Sequence, residues 1–154
     1  TVSGGDVVAL AEVTSNRQTI TSFLDTKRPP RGNRNVLGGL LTIRGRPSLT
    51  GIGVAGGTTL EWDVDESWQS LRATVGIDDA ARGRGSVIFE IRVDDRSVWR
   101  SEELTGTDEP VAVPPVDLVG AKKLTLHVEY AQQGNVLDYA NWSDAVLIRG
   151  SSRK

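Results

Sequence analysis

Between Asp138 and Asp144 the chain places Asp138, Tyr139, Asn141, Trp142 and Asp144 within seven residues. This is the mixture of flat rings and planar polar groups that a shallow sugar site requires. A pyranose is held by an apolar face against its C–H side and by amide or carboxylate groups that each meet two hydroxyls. Trp142 supplies such a face, Tyr139 a second aromatic wall, and Asp138, Asn141 and Asp144 a hydrogen-bonding rim. Trp142 also has a plainer reading, as a Trp that caps a core just before a final strand. The carboxylates suggest a second chemistry. Asp78 and Asp79 at the end of one predicted strand, with Asp144 before another, offer the hard oxygen ligands that Ca²⁺ prefers, although the spacing is not that of an EF-hand. Turn chemistry reads the same residues differently, because Asp and Asn accept backbone N–H bonds and tolerate left-handed backbone.

Catalysis finds little support in the inventory. The single histidine, His127, falls on the outward side of a well-patterned strand and reads as a solvated surface residue. A Ser-His-Asp relay needs that imidazole beside a nucleophile, and a zinc site needs more ligands than one His without Cys provides. Paired carboxylates hydrolyse glycosides across a cleft, but the acids here fall in turns or on wet faces. The chain is expected not to be an enzyme.

The elements that must position these residues are strands. Leu60, Trp62 and Val64 alternate with Glu61 and Asp63, and Leu71, Ala73, Val75 and Ile77 alternate with Arg72, Thr74 and Gly76. The same period of two runs through Val87 to Val93 and Leu124 to Tyr130, which predicts strands with one buried and one wet face. A last strand is predicted from about Asp144 to Arg149, with shorter ones at Val7 to Val13, Leu40 to Ile43 and Ser97 to Arg100. Pro110, Pro114 and Pro115 demote Val111 to Val116 to an edge strand, since proline cannot donate to the ladder. Seven or more short antiparallel strands predict an all-β sandwich. Residues 24–39 form the one long irregular segment.

A length of 154 residues suits a single domain, which buries roughly 68–70% of the surface its unfolded chain exposes. The net charge of −2 points away from nucleic acid. Six cations and no acid lie between Lys27 and Arg46, a solvated loop or a polyanion-facing surface. Without cysteine there is neither a disulfide nor a thiolate site. No apolar run approaches the roughly 18 residues that cross a bilayer, so no membrane partner is expected. A chain that begins at Thr1 and contains no methionine is expected to be a piece of a longer precursor.

Several short segments, taken in order, resemble one family. Leu41-Thr42-Ile43-Arg44-Gly45 leads into Gly51-Ile52-Gly53-Val54, followed by the Gly76-Ile77-Asp78-Asp79 turn and the Gly85-Ser86-Val87 strand entry. Val119 to Leu126 and the closing Asp138-Tyr139-Ala140-Asn141-Trp142-Ser143-Asp144-Ala145 complete the series. Over nearly its whole length the chain is similar to NPCBM modules, carbohydrate-binding module family 51. The resemblance implies a jelly-roll sandwich of the galactose-binding-like kind with a bound calcium. It also implies fusion to other domains of an exported protein and recognition of a galactose-type glycan. Family members typically carry His after Gly-x-Gly-Val, where this chain has Ala55. They read Asp-His-Ala-Asp-Trp-Ala-Asp-Ala where it has Tyr139 for the His and Asn141 for the second Asp. The loss of two imidazoles and one charge opens the alternative of a sandwich used for protein contact or spacing, its sugar site degenerate.

Overall fold

Residues 6–13, 17–20, 30–130 and 138–150 are described by a computed structural model of the chain. The expected irregular segment therefore lies outside the described residues at positions 24–29. The strands are β1 (Asp6–Ala9), β2 (Arg17–Ile20), β3 (Arg31–Gly32), β4 (Leu41–Ile43), β5 (Arg46–Ser48), β6 (Gly51–Ala55) and β7 (Thr58–Asp63). They continue as β8 (Trp68–Ile77), β9 (Ser86–Val93), β10 (Arg96–Arg100), β11 (Leu104–Thr105), β12 (Val111–Asp117), β13 (Lys123–Tyr130) and β14 (Tyr139–Arg149).

Two antiparallel sheets face each other. The first runs β12-β8-β14-β6-β3, with β1 lying beside the second half of β14; the second runs β10-β9-β13-β7-β2, with β11 beside the start of β9. Side chains alternate along each strand, so the register decides what meets what. Trp142 stands opposite Val75 and Ile52, and Ala140 opposite Ile77 and Val54, all on the inner face of the first sheet. Leu124, Leu126 and Val128 stand against Val93, Ile91 and Phe89 on the inner face of the second. The edge of the Phe89 ring meets the Trp142 ring at 5.0 Å and 86°, joining the two layers at the centre of the core.

The sandwich, the central alternating strands and the proline-bearing edge strand are as the sequence predicts. Three local expectations are corrected. The strand expected from about Asp144 begins five residues earlier, at Tyr139, and Asp144 sits within it at a bulge with φ of 51°. The strand expected over Val7 to Val13 ends at Ala9 and turns into a 3₁₀ segment, Leu10–Glu12, that drops Leu10 into the core. His127 is half-buried and not solvated. Its Nδ1 lies 2.7 Å from Thr59 Oγ1, and burial first, then the Arg92 charge, hold its pKa below the ordinary value.

Candidate functional site

The outer face of the first sheet is where the quoted motifs converge. Two rows of opposed residues, Gly76-Asn141-Gly53 and Thr74-Ser143-Gly51, cross β8, β14 and β6 with side chains pointing away from the core. The glycines are there because other chain lies on them. A Cβ on Gly76 would sit 2.9 Å from two Ile43 side-chain carbons, one on Gly51 2.5 Å from the Trp142 carbonyl, and one on Gly53 2.5 Å from Asn35 Cα. The segment from Asn33 through the β4–β5 hairpin thus covers a face that period-two alternation alone would leave wet.

A buried polar network holds this cover in place. Asp78, 1% exposed, accepts from Asn35 Nδ2 at 3.0 Å and Ala80 N at 2.8 Å on one carboxylate oxygen. Its other oxygen accepts from Thr42 N at 3.0 Å and Asn141 Nδ2 at 2.8 Å. Asn35 is saturated in turn: its Oδ1 accepts from Leu37 N and Gly39 N, and its Nδ2 also donates to Leu40 O. A buried carboxylate is tolerated when its lone pairs are filled by N–H donors in this way. Where the family reads Asp, Asn141 donates to Asp78, so the amide replaces a position at which a second carboxylate would be repelled.

The expected metal set does not fit a calcium ion. Both oxygens of Asp78 are occupied by N–H groups. Asp79 is exposed and accepts from Arg44 N at 2.8 Å and Gly45 N at 2.9 Å. Asp144 is exposed at the β14 bulge, where its own N–H donates to Thr50 O. Among the described residues no three His, Cys, Asp or Glu side chains gather as metal ligands. These acids perform the turn and strut chemistry that was the competing reading.

The four expected ligand-binding residues are divided by the pleat and by burial. Trp142 is 1% exposed and Asn141 fully buried, so neither presents a surface to a sugar. Trp142 is a core residue packed on Phe89, as its plainer reading held. Asp138 is also buried; its Oδ1 accepts from Ser86 N at 2.8 Å, tying the end of the first sheet to the start of β9 in the second. Among the described residues its Oδ2 has no hydrogen-bond partner, and burial pushes the carboxyl up to about 7 against the lowering effect of the Ser86 bond. Of the four, Tyr139 alone is half-buried; it lies on the outer row and packs in part against the core. Directly across the ladder from it stands Ala55. The two positions at which the resemblance implies histidine are therefore cross-strand neighbours, a fact that only the register reveals.

Two antiparallel sheets packed face to face in this order make an all-β sandwich module. The NPCBM/NEW2 domain model matches residues 10–148, and the chain belongs to that family. No curated protein matches the chain in sequence. Among solved structures, the second family 51 module and INT domains of Clostridium perfringens ZmpB, determined with GlcNAc, match at 23% identity and a TM-score of 0.83, covering 96% of this chain and 32% of that one. The family 51 module of a Clostridium perfringens family 95 glycoside hydrolase, determined with methyl-galactose, matches at 21% identity and a TM-score of 0.83, covering 92% and 99%. The tandem family 51 modules of a Streptococcus pneumoniae family 98 glycoside hydrolase match at 20% identity and a TM-score of 0.77, covering 97% and 49%. The chain spans about a third of the ZmpB chain it matches.

Proposed function

We propose that the chain is a noncatalytic carbohydrate-binding module that holds a larger exported protein against glycans ending in galactose-type sugars. Membership in the NPCBM family over residues 10–148 carries this reading. The likeness to modules solved with GlcNAc and with methyl-galactose supports the ligand class. Among the described residues no helix is long and apolar enough to cross a membrane.

The contact surface is centred on the Tyr139–Ala55 pair. The Tyr139 ring covers the apolar side of the sugar, with the small Ala55 side chain opposite it across the ladder. Asp138, Asn141 and Trp142 support this surface from beneath and do not touch the ligand. Titration with methyl β-galactoside and GlcNAc, in calcium and in chelator, tests the proposal. It expects the same binding under both conditions and its loss in Tyr139→Ala with the fold intact. Binding that survives Tyr139→Ala would overturn the site. A second reading, a protein-contact or spacer sandwich, is favoured by the burial of three of the four expected contacts. A folded domain that binds nothing on a glycan array would establish that reading instead.

A further inference from the structure

A cavity of about 250 Å³ opens between the two sheet edges formed by β10 and β12, away from the Tyr139 row. Its walls are Val98, Trp99, Pro114, Pro115, Val116 and Asp117. Both edge strands bulge at this place. The register of β10 shifts between Ser97 and Trp99, leaving Val98 over, and that of β12 shifts between Val113 and Val116, where Pro114 and Pro115 together face one residue of β8. Two facing bulges thus supply much of the lining. Bulges re-aim side chains and concentrate beside functional sites, and together with proline they keep an edge from accepting another strand. The cleft is built for something other than strand addition.

Its chemistry is that of a small amphipathic ring. The Trp99 indole is half-buried against the core, and Val98 is 46% exposed, so the walls are firm and apolar but reachable. Asp117 is exposed; its Oδ1 accepts from Val119 N at 3.0 Å. Asp117 Oδ2 and the Trp99 indole N–H have no partner among the described residues, leaving one acceptor and one donor for a ligand. The volume falls below the roughly 300–1,000 Å³ of pockets for drug-sized molecules, which suits a single ring. Rigid walls of proline and indole lose little freedom on binding.

We propose that this lateral cleft is a second saccharide site, taking one pyranose against Trp99 with a hydroxyl donated to Asp117. The ligand class rests on the carbohydrate-binding reading above; the residues are independent of it.

The test follows the indole N–H signals of the four tryptophans by NMR during titration with methyl β-galactoside, GlcNAc and a polyproline peptide. The Trp99 signal, assigned by its absence in Trp99→Ala, should move with a sugar. Asp117→Asn, a surface change that keeps the fold, should weaken that response at least tenfold, and Tyr139→Ala should leave it unchanged. A Trp99 signal that no sugar moves, that only the peptide moves, or that responds equally in Asp117→Asn would overturn the second site. The two sites fail separately. A stationary Trp99 with Tyr139-dependent binding elsewhere sinks the cleft alone, whereas a Trp99 response without Tyr139-dependent binding supports the cleft and sinks the first site.

Discussion

Asp138 and Trp142 show how far a residue's type can mislead about its task. Both belong to a motif that reads as a ligand-binding loop, and both are 1% exposed. Truncating a buried Trp typically costs 3–5 kcal/mol. Trp142→Ala is therefore expected to lower stability by about that much in a denaturant melt, and to lose binding only through loss of fold. Tyr139→Ala, at a half-exposed ring, should cost about 1–2 kcal/mol. Asp138 makes a pH prediction. Burial raises its folded-state pKa to about 7, above the ordinary value of 3.8, so the folded chain holds a proton that the unfolded chain releases. Its stabilising contribution is full below about pH 4 and is lost as the pH rises through 7, a change on the order of a few kcal/mol. In Asp138→Asn, which keeps an acceptor for Ser86 N, the stability difference between pH 4.5 and pH 8 should shrink. An unchanged difference would remove the buried carboxyl as its cause.

The segment over Gly51, Gly53 and Gly76 is the element on which the site surface depends, and the Asn35–Asp78–Asn141 network is what fastens it. Asp78→Asn turns one carboxylate oxygen into a donor that must face two N–H groups. With buried polar groups costing about 1–3 kcal/mol each when left unpaired, a loss of about 2–5 kcal/mol is expected. Because N–H groups meet both oxygens of this carboxylate, the loss should be the same in calcium and in chelator; a calcium-dependent difference would contradict that account. Gly53→Ala tests the cover from below. The new Cβ would meet Asn35 Cα and the Arg34 carbonyl, which are backbone and cannot swing aside, so a cost of about 3 kcal/mol is expected. The glycines were legible as punctuation in Gly51-Ile52-Gly53-Val54. Their purpose was not, because the chain that lies on them is distant in sequence.

At the scale of the whole molecule, ligand binding and stability are linked. A sugar present at a hundredfold excess over its Kd should raise the unfolding free energy by about 2.7 kcal/mol, an effect that Tyr139→Ala should abolish at the first site. An unshifted melt under confirmed saturation would contradict binding to the folded state alone. The alternation of Leu71 to Ile77, Val87 to Val93 and Leu124 to Tyr130 determined the two layers, because a period of two allows a strand one inner face and no freedom to choose another. Pro114 and Pro115 likewise fixed β12 as an edge. Alternation also required Asn141 and Trp142 to point to opposite sides of β14. It did not state which of those sides meets water. That was decided by hydrogen bonds reaching 43 residues from Asn35 and 63 residues from Asn141 to Asp78, and by the register that set Tyr139 beside Ala55. Such contacts depend on how the chain closes on itself, and nothing in the local sequence encodes that closure.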